Sequence, residues 1–440
     1  MTRKTRLALA GTAAALAAAV LLVGGLFRGS TGSARAIPVQ QAVATERLAG
    51  GFAAGDTAGL VRKLAAEARA RPSDARTYTL LGLAYQQRAR ETGNPVFYSK
   101  SAGVLARAAA LDPKDPTTTS AEGSLALARH RFREALVLGR RATAAAPYTA
   151  RNYGVVGDAL LELGRYDEAF RAFDRMGSLR PDLASYSRVS YARELLGLTG
   201  PAARALRLAL DAAGGQPEPT ALVQTQLGKL AWSRGRLDEA RAHYRAALAA
   251  FPGYAYALEP LALAEAARGR QERAIALARR ASETLPAPQA VATLGDLYAA
   301  AGRRRAAAAQ YRLVGAIGRL LVANGVRTDL ETALFDLDHG RDLPGALELA
   351  RRAHRARPSI DADDILAWAL ARNGRCAEAL PYSRRALRLG TLDALKFFHR
   401  GMVERCLGHD QDARAWFGRA LRLNPHFSLL WSPVARRYAS

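Results

Sequence analysis

Cys376 and Cys406 are the only cysteines in the chain, and its seven histidines stand apart at 130, 243, 339, 354, 399, 409 and 426. No pair of histidines forms the His-Glu-x-x-His spacing of a zinc site, and no Cys/His set has zinc-ligand spacing. "GKL" at 228–230 lacks the upstream Gly and the Ser/Thr that a phosphate-cradling loop needs. No Gly-x-Ser-x-Gly elbow is present to expose a nucleophile. "DLDHGRD", Asp336 to Asp342, has the look of a calcium loop but carries Leu347 where the twelfth-position Glu belongs. Residue chemistry therefore predicts no catalytic residues, no metal and no cofactor. What remains is binding, and binding depends on the elements that present the side chains.

Charge narrows the class of partner. The net charge is +25, from 64 basic and 39 acidic residues, and only Lys4, Lys63, Lys100, Lys114, Lys229 and Lys396 are lysines. One reading is an Arg-rich surface spread without focus. The other is attraction to anionic lipid, a cell-wall polymer, nucleic acid or an acidic protein. The N-terminus is more specific. "MTRKTR" precedes an uncharged run, Leu7 to Phe27, and "SARA" at 33–36 offers an Ala-x-Ala cleavage site. Residues 1–36 read as an export signal, or as a retained anchor, since about 20 apolar residues span a bilayer. Either places residues 37–440 outside the cytoplasm; the alternative is that the apolar run is a buried helix of a cytosolic protein.

Ala, Leu and Arg dominate, which favours helix throughout. Internal spacing then fixes the architecture. Pro113, Pro147 and Pro181 are 34 residues apart, as are Pro252 and Pro286. Within each period a small residue comes early (Gly82, Gly123, Gly157, Gly228, Gly295, Gly401). A turn glycine follows (Gly164, Gly235, Gly269, Gly302, Gly374, Gly408). Then comes an Ala, a residue four later and a small residue three beyond, as in Ala240, Tyr244 and Ala247. That spacing lies on one face of a helix. Two helices per period cross at the small residue, and each pair buries its apolar face only against its neighbours.

This grammar closely resembles the tetratricopeptide repeat family. The residues that carry the likeness are Tyr153, Gly157, Tyr166, Ala169, Phe173 and Pro181 in one unit. In another they are Leu227, Gly228, Ala231, Ala240, Tyr244, Ala247 and Pro252. The resemblance implies an all-α fold: an α-solenoid, a right-handed superhelix of about eleven units over residues 41–426. A capping helix is expected in the tail "FSLLWSPVARRYAS", with Trp431 covering the last face and Arg436 and Arg437 exposed. Units near 184 and 327 depart, with Tyr191 and Leu334 where the small residue belongs. Softer points are expected at 212–220 and 321–329.

The resemblance further implies that first helices line a concave groove for a protein or peptide segment. One stripe is Leu222, Thr225, Lys229 and Trp232. Its neighbours are Arg151, Gly154, Asp158, Leu161 and Ser185, Arg188, Ala192, Leu195. Stacked, they gather Arg151, Asp158, Arg188, Lys229 and Trp232 into a basic-aromatic patch. A second, acidic-aromatic patch comprises Glu331, Phe335, Asp361, Asp364 and Trp368. The family's peptide-carboxylate clamp is not matched. Cys376 falls at the start of a second helix and Cys406 near the end of the next first helix. Those helices are consecutive and antiparallel, so the two cysteines form either a disulfide or a pair of unbonded thiols. The function expected is a non-enzymatic, extracytoplasmic interaction scaffold. Its rival is distributed-arginine binding to an anionic envelope surface, with nucleic acid disfavoured by the export signal.

Overall fold

The computed structural model describes residues 56–439. The expected export segment, including Leu7–Phe27 and the Ala36 cleavage site, lies outside the described residues. Within them the chain is helical throughout, with no strand. No described helix is long and apolar enough to cross a membrane.

The helices run, in order, α1 (Thr57–Ala70), α2 (Ala75–Thr92), α3 (Val96–Leu111), α4 (Pro116–Ala128), α5 (Phe132–Ala145), α6 (Ala150–Glu162) and α7 (Tyr166–Leu179). Then follow α8 (Leu183–Leu195), α9 (Thr199–Ala213), α10 (Pro217–Ser233), α11 (Leu237–Ala250), α12 (Ala255–Ala267) and α13 (Gln271–Thr284). After these come α14 (Pro288–Ala300), α15 (Arg304–Ala323), α16 (Asp329–Asp338), α17 (Leu343–Ala356), α18 (Ile360–Arg372) and α19 (Cys376–Ala386). The last three are α20 (Ala394–Cys406), α21 (Asp410–Leu423) and α22 (Trp431–Ala439). From α2 to α21 they pack as successive pairs, even-numbered helix first, with α1 and α22 closing the ends.

Volume matching explains each pair. A methyl group placed on Gly157 would overlap the Phe173 ring, and one on Gly228 the Tyr244 ring. Where Leu334 stands in the small position, Ala350 replaces the facing aromatic and the two share one core. The large and small partners have exchanged places at constant volume, which cores tolerate best. First helices start from side-chain caps: Asp74, Asp115, Asp182, Ser359 and Asp393 each accept from backbone N–H groups of the first turn. Such caps contribute about 1 kcal/mol each.

The unit near 184 corrects the sequence register. Its second helix buries Ala202, Leu206 and Ala209, which sets the unit one residue earlier. Ser190, not Tyr191, takes the small position, and its Oγ donates to the Ala202 carbonyl at 2.9 Å. One residue rotates a helix by about 100°, so the face expected to carry Arg188 carries Tyr191 and Glu194 instead.

Successive turns of the superhelix touch. Five and a half units after each contact point the chain returns beside itself. The Arg327 N–H donates to the Arg129 carbonyl at 3.1 Å. Ile360 N donates to Tyr166 Oη at 2.8 Å, Thr391 Oγ1 donates to the Leu195 carbonyl, and Asn424 Nδ2 donates to the Trp232 carbonyl at 2.8 Å. These side-chain contacts span 192 to 196 residues. The turn glycines of the lower turn sit in this seam. Gly197 (φ +72°) and Gly235 (φ +68°) would each press a Cβ to within 2.6 and 2.7 Å of the Gly390 and Leu423 carbonyl oxygens. Gly269 and Gly302 have the same backbone conformation, and a Cβ there would meet nothing. Only where a second turn stacks above does the glycine also give clearance.

The tail caps the array as expected in part. Arg436 and Arg437 are exposed. Trp431 packs on Phe398 of the last unit and also reaches past that unit to Trp368, with ring centroids 5.4 Å away in each case.

Candidate functional site: the inner face of the superhelix

First helices form the inner wall, and their inward side chains are polar. Near the start, Gln87 hydrogen-bonds Glu218 across the axis. Arg90 sits beside Glu218 and Tyr256. Arg151 reaches Ser124 Oγ at 3.4 Å while its Nε has no partner. Burial, reinforced by Arg90, lowers the Arg151 pKa to about 10.

Midway along, Tyr191, Glu194, Lys229 and Glu259 line the wall. Lys229 is exposed to the lumen yet surrounded by protein, so its ammonium is held below its ordinary pKa by lost hydration. Glu259 and Glu194 oppose that shift. No hydrogen bond engages Glu194 among the described residues. Burial and then Asp393 push its carboxyl up to about 7. Glu259 accepts from Thr293 Oγ1 at 2.9 Å and is also raised by burial. Ser187 Oγ is buried without a partner. Burial raises Tyr191, and Asp361, Glu162 and Glu194 raise it further. This stretch is therefore desolvated and rich in carboxylates, and its one unpaired cation is Lys229 among the described residues.

The seam adjoins this wall. Arg357 is buried between Glu331, with which it pairs, and Glu162, 3.4 Å away, and lies over the Phe132 ring. Glu162 is nonetheless pushed up to about 7. Burial dominates, the Arg357 charge is shared with Glu331, and Asp361 repels. Lys396 is held between Asp361 and Asp393 at 2.7 Å each.

The expected basic-aromatic patch divides. Arg188 is fully buried and grips Asp158 with two hydrogen bonds, 2.9 and 2.7 Å, so the pair braces α6 against α8. Arg151 and Lys229 face inward, but in separate surroundings. Trp232 is half-buried against Ala231, Tyr244 and Leu261. The acidic-aromatic patch is internal. Trp368 is buried, donates Nε1 to Asp338 Oδ1 at 3.1 Å and stacks on His399 at 4.7 Å. Asp364 accepts from His399 Nδ1 at 2.9 Å. Trp431 roofs the cluster, donating Nε1 to the same Asp338 oxygen at 3.0 Å. Glu331 serves the seam, and Phe335 packs on Tyr311 and His339. Cys376 and Cys406 are joined as a disulfide, with Cα atoms 5.5 Å apart.

Tyr191, Glu194 and Glu259 were missed by reading the sequence. The Ala202, Leu206, Ala209 spacing could have found the first two, since it sets the register of its own unit.

The fold and this inner wall define an α-solenoid scaffold of two-helix repeats. The tetratricopeptide repeat family model matches residues 120–184 and 225–287, which supports placement in that family. Similar solved structures include the following three. A thermophilic TPR protein of Thermus thermophilus is 24% identical, with 40% of this chain and 92% of that one covered and a TM-score of 0.36. PilF of Pseudomonas aeruginosa is 19% identical over 48% and 90%, with a TM-score of 0.36. Human IFIT1, solved as a dimer with m7Gppp-AAAA, is 15% identical over 95% and 98%, with a TM-score of 0.48. No curated protein matches the chain.

Proposed function

We propose that this protein is a non-enzymatic interaction scaffold, exported or membrane-anchored, that holds a segment of a partner protein against its inner wall. Tetratricopeptide repeat proteins generally mediate protein–protein contacts, and that supports the class. The carrying observation is the stretch from Tyr191 to Glu259. Glu194 is half-buried and unpaired, Ser187 Oγ is unpartnered, and Lys229 forms no ion pair with either neighbouring carboxylate. A Lys or Arg side chain of the guest would give Glu194 the direct ion pair that Lys229 and Lys396, which act on it only through space, do not form. Charge-assisted hydrogen bonds of this kind are the strong ones. The disulfide supports the extracytoplasmic reading, because such bonds persist in oxidising compartments.

The test is an array of synthetic peptides varied from Lys/Arg-rich to Asp/Glu-rich, probed with the full chain and with Glu194→Gln/Glu259→Gln. Basic peptides should bind, and the variant should lose about tenfold in affinity, equivalent to about 1.4 kcal/mol. Equal capture of acidic peptides, or preference for a short single-stranded RNA, would end this reading. The rival reading places an anionic polymer on the outward arginines. It predicts a steep loss of binding with salt and no effect of the Glu194 and Glu259 changes.

A further inference from the structure

Helix α15 is the longest described helix, with 20 residues, and it contains no acid. It is the second helix of its unit, so one side packs inward through Ala307 and Val314 while Leu321 joins the first unit's core. Its opposite side differs from several outer faces elsewhere in the array, although Val137 and Leu208 are exposed apolar residues too. Those faces carry opposite charges that pair locally, as in Arg165–Glu168, Arg236–Glu239, Arg351–Glu348 and Arg375–Glu378. On α15 the outward positions are Ala309, Leu313, Ala316, Leu320 and Ala323, all exposed. Leu313 is 40% and Leu320 47% exposed.

Their spacing is four, three, four, three. On a regular helix they fall within about 80° of one another, facing away from Val314. That is the seam pattern of a helix awaiting a second helix. Beside it run Arg305, Arg312 and Arg319, seven residues apart on one flank and all exposed. None of the three has an ion pair or hydrogen bond among the described residues.

Three occupants could cover such a face, and the side chains discriminate between them. A lipid surface would gain from Leu313 and Leu320 only, because alanines bury little apolar area. Two leucines are marginal for membrane binding. Alanine matters instead to another backbone, since it lets helix axes approach toward the short end of the 8–10 Å range. A second copy of this chain, paired antiparallel about a two-fold axis, would set Leu313 against Ala316 and Leu320 against Ala309. The volumes match, but Arg312 would then meet Arg319 of the other copy, and like charges at such positions repel. A helix with the same apolar seam and an acidic flank satisfies both volume and charge.

We propose that the outer face of α15 is a docking surface for one amphipathic helix of an acidic partner. Leu313 and Leu320 seat between small side chains of that helix. Arg305, Arg312 and Arg319 pair with carboxylates spaced one heptad apart along it. This surface lies on the opposite side of the repeat from the inner wall, so it stands independently of the function proposed above.

The test uses two synthetic helical peptides of three heptads with one shared Leu/Ala seam, one flanked by Glu and the other by Lys. Each is titrated into the disulfide-intact full chain by fluorescence anisotropy. The Glu-flanked peptide should bind and the Lys-flanked one should not. Leu313→Ser/Leu320→Ser should weaken binding at least about tenfold with the circular dichroism spectrum unchanged. Arg312→Glu/Arg319→Glu should reverse the preference between the peptides. No binding, equal binding of both peptides, or a Glu-flanked complex indifferent to the serine changes would overturn the proposal. So would a concentration-dependent dimer in sedimentation, or co-flotation with phosphatidylglycerol vesicles, that the serine changes abolish. The first would make a second copy the occupant and the second would make it lipid.

Discussion

The contact between turns can be separated from the repeat fold by two single substitutions. Gly197 and Gly269 occupy equivalent turns, at φ +72° and +75°. Alanine at either must adopt the left-handed region, at a cost of about 1–2 kcal/mol. At Gly269 the new methyl meets open space, so that cost should be the whole effect. At Gly197 the methyl sits 2.6 Å from the Gly390 carbonyl oxygen, where ordinary contact begins at 3.4 Å. The turns must therefore part locally by about 0.8 Å, the difference of those two distances. Forcing a methyl into a filled contact adds about 1–3 kcal/mol. Gly197→Ala should thus lose roughly 2–5 kcal/mol against 1–2 for Gly269→Ala, read from urea unfolding of the purified chain. Gly164→Ala/Gly197→Ala/Gly235→Ala should also raise the radius of gyration in small-angle scattering, since all three positions face carbonyl groups of the turn above. Equal losses at Gly197 and Gly269, with no expansion of the triple variant, would mean that the turns do not touch in solution.

Other expectations follow from the buried charges, the bridge and the tail. Arg188→Leu strands Asp158 in the interior and should cost about 3–5 kcal/mol, while Asp158→Leu/Arg188→Met should cost markedly less, both by chemical denaturation. Glu194 has a raised pKa in the folded chain, about 7 against 4.5. It contributes nothing below pH 4.5, and its ionisation destabilises progressively up to about pH 7 and fully above. Glu194→Gln should therefore raise the melting temperature at pH 8 and leave it nearly unchanged at pH 4. Reducing Cys376–Cys406, which closes a loop of 30 residues, should cost about 3–4 kcal/mol, with faster amide exchange confined to α19–α22. Trp431→Ala removes the roof over Trp368 and one donor to Asp338, and should cost about 3 kcal/mol. Altered Trp fluorescence should accompany it.

The repeat was legible because it is local. Gly157 and Phe173, or Ala240 and Tyr244, carry their meaning within one unit, and the period repeats it. The inner wall was harder, because a face depends on register. In α8 the proline spacing placed the unit one residue too late, and a rotation of about 100° exchanged Arg188 for Tyr191 and Glu194. The acidic-aromatic stripe was traced to the right helices, yet nothing in the spacing of Trp368 shows that Trp431 covers it. The seam was out of reach altogether. It depends on the small rotation from each unit to the next, accumulated over five and a half units, and no single residue encodes that sum. Its partners, such as Glu162 with Arg357 or Tyr166 with Ile360, then meet at separations near 195 residues.

Because Arg129, Tyr166, Leu195 and Trp232 are each bonded to the coil above, the seam between the two coils is fastened at each of these four points among the described residues, which bars a strand from sliding in sideways there. A guest with bulky folded modules at both ends would be kept out, and one with a loose end would enter axially from the end away from the Gln87–Glu218 bond, as a cord enters a sleeve. Capture rates should then depend on how near a terminus the recognised stretch lies, and a loaded partner would be held by topology as well as by affinity.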